Sequence, residues 1–265
     1  MTAPSLELVS WNVLADAYVR AEYFPSTPSA LLAPGARTDA ILARLAASTA
    51  DVICLQEVEP ALVAGLRGLQ AFDVRYLQKG RSKPDGCALL SRRTSVVVED
   101  VRDLVYPDPS GHVAVLAVVR VGAVEVGIAT SHVKWDPPGT PEPERWATQQ
   151  VGALVAAMRE RDVPWVACGD FNVHPDDPVL HLLRGFRDVY ANTPHDKPTV
   201  NANGWPRRID YVFADERLRA EPLPLPVIDA STTLPSGAEP SDHLMIGARI
   251  TDGRSPPSGP PGTSG

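Results

Sequence analysis

Short runs of apolar residues, separated by turn-forming residues, recur along the chain and predict many strands. We predict strands at residues 6–12, 51–56, 72–77, 87–90, 95–105, 112–119, 124–130, 163–168, 208–213 and 244–250. Neighbouring strands such as 112–119 and 124–130 are separated by only a few residues, which indicates hairpins. The pattern therefore predicts sheets with much antiparallel pairing.

Helical spacing of apolar residues appears in three segments. It predicts helices at residues 36–47, where Ile41 and Leu45 share a face, at 60–69, which begins with Pro60, and at 142–161. Strands outnumber helices and no internal repeat is visible. The sequence predicts one α/β domain over residues 1–251, followed by a disordered tail of Gly, Pro and Ser at residues 252–265.

Composition and charge limit the possible classes of protein. Hydrophobic residues make up 44% of the 265 residues and the formal net charge is −7. This charge argues against tight, sequence-independent binding of long duplex DNA, although a short nucleic-acid end could still bind at a metal site. No apolar run has membrane-spanning length and no leader is evident. The three cysteines, Cys54, Cys87 and Cys168, lie in apolar runs, so we expect reduced core thiols in a cytoplasmic protein without a membrane partner.

Polar side chains stand at the ends of several predicted strands. Asp170 and Asn172 follow strand 163–168, Asn12 ends the first strand, and Glu57 ends the apolar run of the second. Asp242 and His243 directly precede the last predicted strand, His132 ends strand 124–130, and Asp210 lies in strand 208–213. A rigid sheet could aim these oxygen and nitrogen atoms at one point. Because Mg²⁺ prefers oxygen ligands, the convergence indicates a metal-assisted phosphoester site.

Taken in order, these segments resemble the exonuclease–endonuclease–phosphatase superfamily, whose fold is that of deoxyribonuclease I. The family pattern is met by Asn12, Glu57, His132, Asp170, Asn172, Asp210, Asp242 and His243. The resemblance covers residues 6–250. It implies a four-layer α/β/β/α sandwich with two mostly antiparallel sheets, and a Mg²⁺ or Mn²⁺ cofactor.

The resemblance also implies a role for each residue at the metal and at the attacking water. Glu57 is the expected direct metal ligand, with Asn12 and Asp242 in the metal shell. Asp170 is expected to position or deprotonate the water, and Asn172 to bind a phosphate oxygen.

The histidines are expected to meet the charge on the phosphate. His243 contacts the phosphate, and His132 stabilises charge on the phosphate or the leaving group. Asp210 orients a catalytic histidine, and His132 is the partner that we expect.

Two segments, 11–16 and 132–137, resemble the poly(A)-deadenylase branch, which includes nocturnin-like and Angel-like proteins. Members of this branch remove 3′-terminal adenylates, remove 2′,3′-cyclic phosphates, or dephosphorylate dinucleotide cofactors. Trp135 and a loop carrying Trp205, Arg207 and Arg208 are the expected substrate-binding residues. We therefore expect a monomeric phosphoesterase that acts on an RNA 3′ end or a nucleotide.

Three alternatives stay open at the level of the sequence. An abasic-site DNA endonuclease has the same fold but usually carries basic loops, which are few here. A nucleotide, inositol or lipid phosphatase is a second alternative, although no membrane-binding segment stands out. A non-enzymatic RNA-binding module would lack some of the residues above, and none is missing.

Overall fold

The computed structural model describes residues 5–202 and 204–253, and its strands form two six-stranded sheets and one short hairpin. The strands are β1 (Ser5–Asn12), β2 (Val52–Val58), β3 (Phe72–Gln78), β4 (Gly86–Arg92), β5 (Val97–Val105), β6 (Val113–Val121), β7 (Val124–His132), β8 (Trp165–Asp170), β9 (Phe186–Asp188), β10 (Val200–Ala202), β11 (Trp205–Arg207), β12 (Asp210–Asp215), β13 (Leu218–Pro222) and β14 (Ile246–Asp252). The helices are α1 (Thr38–Ala47), α2 (Pro60–Gly68) and α3 (Trp146–Arg159), with 3₁₀ turns at Asp16–Tyr18, Ala21–Tyr23, Ser29–Leu32, Glu142–Glu144 and Pro178–Leu182.

Each large sheet has one parallel pair of strands at its centre. The first sheet has the order β13-β14-β1-β2-β4-β3, and the second has the order β5-β6-β7-β8-β12-β9. The pairs β1–β2 and β7–β8 are parallel and the other pairs are antiparallel. The expected mixture of strands, mostly antiparallel, is confirmed.

The two sheets pack face to face through alternate residues of their strands. In β6, Val115, Ala117 and Val119 belong to the core between the sheets, whereas Leu116 and Val118 belong to the core beneath α3. This period of two is what a strand buried on both faces requires. Helices α1 and α2 cover the outer face of the first sheet and α3 covers the outer face of the second. The result is the α/β/β/α sandwich that the resemblance implied.

The third helix is shorter than its apolar pattern predicted. The predicted segment 142–161 divides into a 3₁₀ turn and α3, which begins at Trp146. The Asp136 carboxylate accepts the backbone N–H groups of Trp146 (2.8 Å) and Ala147 (3.0 Å). A cap of this kind fixes the first turn of a helix.

The last strand ends at Asp252, one residue inside the predicted tail, and residues 254–265 lie outside the described residues. No helix in the described ranges is long and apolar enough to cross a membrane.

Strand register brings the polar strand ends to one edge of the sandwich. Asp170 lies opposite His132 across the parallel pair β7–β8 and opposite Asp210 across the antiparallel pair β8–β12. In the other sheet, Asn12 lies opposite Gln56, so that Glu57 follows directly beside it. The edge where these strands end is the candidate site.

Candidate active site

Asn12 joins two buried carboxylates, one from each sheet. Its side-chain nitrogen donates to Glu57 Oε1 (2.9 Å) and to Asp170 Oδ2 (3.1 Å). Its oxygen accepts the Leu14 N–H at 3.0 Å, and this bond fixes the orientation of the amide. Asn12 therefore meets the carboxylates as a donor, and the shared contact ties the two sheets together at the site.

Glu57 reaches this position through an irregularity in β2. The pairing of β2 with β4 shifts register between Leu55 and Val58, and Glu57 has a positive φ of 58°. A bulge of this kind re-aims a side chain, and a left-handed conformation at a non-glycine residue costs energy. The second Glu57 oxygen accepts the Ala15 N–H at 2.9 Å, which holds the side chain in place.

Asp210 orients His243, and the expectation that it orients His132 is wrong. His243 Nδ1 lies 2.9 Å and 3.0 Å from the two Asp210 oxygens, and Thr199 Oγ1 donates to Asp210 Oδ2 at 2.6 Å. His132 lies on β7, which is separated from β12 by β8, so the Asp210 side chain does not meet it. Both histidines lie next to strand ends, and no local pattern shows which one faces Asp210.

The surroundings shift the pKa values of the two histidines in opposite directions. Burial acts against protonation of His243, but the carboxylates of Asp210 and Asp242 raise the pKa of His243 well above its usual range. Burial and the Lys79 charge lower the pKa of His132 well below that range. The surroundings therefore favour the imidazolium form of His243 and the neutral form of His132.

Asp170 lies between these groups, with His132 Nε2 at 3.8 Å and His243 Nε2 at 3.9 Å from its Oδ2. Burial, followed by the nearby Asp210 carboxylate, raises the pKa of Asp170 to about 7. Its Oδ1 accepts the Asn172 N–H at 2.9 Å. A carboxylate that titrates near neutral pH is suited to accept a proton from water.

Asn172 directs its side chain across the end of β7. Its nitrogen donates to Val133 O at 2.9 Å and lies 3.1 Å from His132 Nε2. Like Glu57, it has a positive φ, here 54°. Two left-handed residues at one site are typical of a functional arrangement.

The donor set fits a hard divalent cation. Within the described ranges, two groups of side chains bring three ligand atoms within 4.8 Å of one another: Glu57, His132 and Asp170, and Asp170, Asp210 and His243. Burial raises the pKa of Glu57 and of Asp242, so their charged forms lack full compensation. A cation at these oxygens would supply that compensation. Asp242 lies beside these groups, with Oδ1 4.0 Å from His243 Nε2.

A cavity of about 500 Å³ opens beside Asn172. Its lining includes Trp135, Trp205 and Arg207, and the two tryptophans are 52% and 63% exposed. The expected loop is the hairpin β10–β11, in which the Arg207 guanidinium stacks on Trp205 with Cζ 4.8 Å from the ring centroid. Buried Arg207 Nε has no hydrogen-bond partner among the described residues.

Arg208 does not line this cavity, and its expected role in substrate binding is wrong. The side chain is 7% exposed and pairs with Asp188 (2.7 Å) and Asp196 (2.9 Å). Its guanidinium also lies over the Tyr211 ring. Asp188 and Asp196 are far from Arg208 in sequence, so the motif alone could not show that the guanidinium is neutralised within the fold.

Sequence reasoning missed three residues at the site, Lys79, Asp85 and Tyr18. Lys79 Nζ pairs with Asp85 Oδ2 at 2.6 Å, and the Tyr18 hydroxyl donates to Asp85 Oδ1 at 2.7 Å. Lys79 and Asp85 are fully enclosed, with side chains 1% and 0% exposed. Lys79 and Asp85 flank the polar segment 80–84, which is typical of a solvated turn. No sequence pattern therefore indicated that the two residues belong to the site.

Sequence comparison identifies relatives of the whole domain. The model of the "Endonuclease/Exonuclease/phosphatase family" matches residues 9–243. Carbon catabolite repressor protein 4 homolog 4 of Arabidopsis thaliana is 26% identical over an alignment that covers 92% of this chain and 76% of that protein. Human 2′,5′-phosphodiesterase 12 is 25% identical over 91% of this chain. The chain spans about half the length of the human relative, 51%.

Structural comparison agrees on the fold. The crystal structure of ANGEL2, described as a 2′,3′-cyclic phosphatase, superposes with a TM-score of 0.82 at 18% identity and covers 94% of this chain and 95% of its own. The family consists of phosphodiesterases, phosphatases and nucleases, so this chain is an enzyme of phosphoester hydrolysis. The matched residues 9–243 include all eight strand-end residues, and the chain belongs to the endonuclease/exonuclease/phosphatase family.

Proposed function

We propose that this enzyme is a divalent-cation-dependent phosphoesterase that acts on RNA 3′ ends, with the 2′,3′-cyclic phosphate as the preferred end and 3′-terminal exonucleolytic cleavage as the related activity. The observation that carries the proposal is the cavity lined by Trp135, Trp205 and Arg207 directly beside Asn172. It supports a nucleotide whose base stacks on an aromatic ring while its phosphate meets the catalytic residues.

The reaction is an in-line attack of water on phosphorus. Asp170 accepts the proton from the water, since its pKa of about 7 matches neutral pH. Asn172 donates its amide to a non-bridging phosphate oxygen, and the His243 imidazolium offsets the charge that develops there. Glu57, with Asn12 and Asp242 nearby, would hold Mg²⁺ or Mn²⁺, which would supply Lewis-acid stabilisation when bound.

The volume of the cavity and the net charge of the chain favour the end of a single nucleic-acid strand over a duplex. A volume of about 500 Å³ is suited to one nucleotide, and a base stacked on an aromatic ring gains about 1–3 kcal/mol. Arg207 offers one guanidinium to the phosphate chain. Tight binding of long duplex DNA relies on a broad basic surface, which a net charge of −7 does not favour.

A panel of substrates tests the proposal. We expect RNA ending in a 2′,3′-cyclic phosphate to be hydrolysed fastest, ahead of oligo(A), RNA with a 3′-phosphate, NADPH, an inositol phosphate and abasic duplex DNA, each measured with Mg²⁺ and with Mn²⁺. Faster cleavage of abasic DNA than of any RNA end would exclude the RNA assignment and leave the family assignment intact.

Variants of Trp205 test the base site separately from the chemistry. Trp205→Ala should raise KM for the RNA end roughly 10-fold, as the loss of one stacking contact implies. Trp205→Phe keeps a ring and should restore most of the affinity. Hydrolysis of bis(p-nitrophenyl) phosphate, which has no nucleobase, should change little in either variant. An equal effect on both substrates would remove Trp205 from base recognition.

A further inference from the structure

Lys79 is a buried lysine that touches the candidate catalytic His132. Its Nζ lies 3.1 Å from His132 Nδ1 and 2.6 Å from Asp85 Oδ2. The side chain is 1% exposed, so the ammonium has exchanged water for these partners. A charged lysine is rarely enclosed without a specific reason.

Two hydrogen-bond donors approach the two nitrogens of the His132 ring. Lys79 Nζ faces Nδ1, and Asn172 Nδ2 faces Nε2 at 3.1 Å. A neutral imidazole accepts at one nitrogen only and carries a proton on the other, while an imidazolium accepts at neither. One of the two donors therefore has no acceptor on this ring.

The charged donor decides which nitrogen accepts. Lys79 Nζ forms an ion pair with the Asp85 carboxylate, and a hydrogen bond from a charged group is about twice as strong as one between neutral groups. Asn172 already donates to Val133 O at 2.9 Å. Asp170 Oδ2, 3.8 Å from Nε2, further favours a proton on that nitrogen.

We propose that the Lys79–Asp85–Tyr18 chain is a positioning device that fixes His132 in the tautomer with an unprotonated Nδ1 and an Nε2–H directed into the site. The Nε2–H and the Asn172 amide then oppose each other as two donors. A phosphate oxygen that enters between them accepts from both, so the arrangement is prepared for a non-bridging oxygen before substrate arrives.

The other neighbours of the ring agree with this assignment. His112 Nδ1 lies 2.8 Å from the His132 carbonyl, and the His112 ring meets the His132 ring edge-on with centroids 5.4 Å apart. These contacts hold the backbone and the plane of the ring but leave both of its nitrogens unaltered. Glu57 Oε1 is 3.9 Å from Nδ1, farther than Lys79. Lys79 is thus closer to Nδ1 than Glu57 is, and it is the group that selects the tautomer.

Nitrogen-15 NMR of the histidine side chains measures the tautomer directly in the cation-free protein, with His132→Gln to assign the His132 signals. We expect an Nε2–H ring in the wild type. An Nδ1–H ring in the wild type would overturn the inference without any variant of Lys79.

Removing the ammonium provides the second part of the test. Lys79→Met alone leaves the Asp85 carboxylate buried without a partner and destabilises the protein. The double variant Lys79→Met/Asp85→Asn removes both charges and is the variant that we expect to stay folded. In this double variant we expect a mixture of His132 tautomers, and kcat should fall roughly 10-fold or more with KM within about 3-fold. Lys83→Met removes the same charge from the same connection between β3 and β4 and should change neither the tautomer nor kcat.

The inference rests on the phosphoesterase function proposed above. The two readouts, the His132 tautomer and kcat, distinguish a failure of this inference from a failure of the proposed function. Turnover is measured on bis(p-nitrophenyl) phosphate, so a wrong RNA assignment would not affect it. If the double variant keeps a pure Nε2–H ring, Lys79 does not select the tautomer. If the tautomer changes while kcat stays at the wild-type value, the positioning role in the reaction is wrong.

Discussion

Gly169 shows how much of the site depends on the absence of one side chain. It pairs with Ser131 across β7–β8 and immediately precedes Asp170. Its φ is 137°, and a Cβ placed there would lie 1.9 Å from Ser131 O. Only glycine allows the two backbones to approach this closely. The position of Asp170 therefore depends on the residue before it.

We predict that Gly169→Ala destabilises the fold by about 2–4 kcal/mol, because both the contact and the backbone conformation become unfavourable. Activity should fall as well, since Asp170 must move with the strand. Urea unfolding and turnover of a generic phosphodiester measure the two effects. Gly152→Ala in α3, where a Cβ meets nothing within 4 Å, should instead stabilise by about 0.5–1 kcal/mol. A Gly169→Ala protein with wild-type stability would contradict this account.

At the scale of elements, an ion pair fixes the segments that surround the cavity. Arg145 pairs with both Asp177 oxygens at 2.8 Å and 2.7 Å, and it also lies 3.6 Å from Asp136. Asp177 accepts the Val179 N–H at 3.0 Å and so begins the 3₁₀ turn after β8. Two loops of the cavity are thereby joined to the start of α3. A bidentate pair of this kind adds geometric order as well as energy.

The Asp177 pair should give stability that depends on pH. Partial burial raises the pKa of Asp177, but hydrogen bonds from Arg145 and the Val179 N–H lower it below its usual value overall. A carboxyl with a lowered folded-state pKa contributes its full stability above the unfolded value, near pH 4, and loses it as the pH falls through the folded value. We predict that Asp177→Asn costs about 1–2 kcal/mol at pH 7 and progressively less below about pH 4.

Urea unfolding of both proteins at a series of pH values measures this difference. The neighbouring Asp176 is exposed, so Asp176→Asn is a control with the same chemical change. A cost for Asp177→Asn that is equal at pH 7 and pH 3 would show that the charge of the pair is irrelevant.

The sequence predicted most of the elements but little of the contact pattern between them. Strand periodicity was sufficient for most of the strands, whereas the two-sheet sandwich and the set of eight strand-end residues came from the resemblance to the family. The pairing of Asp210 with His243, and the neutralisation of Arg208, depend on contacts across strands that no local pattern encodes. Lys79 and Asp85 were missed for a related reason. Burial of a charged pair is decided by the tertiary fold, and their local sequence is typical of a turn.

At the scale of the whole molecule, the site lies across both sheets and concentrates negative charge. Glu57 belongs to the first sheet and Asp170 to the second, while Asp242 lies in the connection to β14. Like charges that are buried together destabilise the protein unless a cation compensates them. Binding of a cation should therefore stabilise the entire fold.

We predict that Mg²⁺ or Mn²⁺ at about 100 times its Kd raises Tm by roughly 5–10 °C relative to the protein in EDTA. Glu57→Gln should remove most of this shift, together with most of the activity. Glu59→Gln is the matched control, since Glu59 accepts the N–H groups of Asp16 and Ala17 (2.9 and 3.2 Å) and is not among the groups of close ligand atoms. A wild-type Tm that does not respond to either cation would exclude the proposed metal site.

The position of β1 between β14 and β2 also determines the stage of protein synthesis at which activity can begin. β1 forms one antiparallel pair with β14, and Trp11 Nε1 donates to His243 O at 2.9 Å while Ser241 Oγ donates to Asn12 O at 2.7 Å. During synthesis, residues 5–12 leave the ribosome long before residues 241–252. The nascent chain accordingly lacks both His243 and the neighbour that completes its first sheet. A partly made chain therefore has an incomplete active site, and catalytic competence arrives only with the final strand.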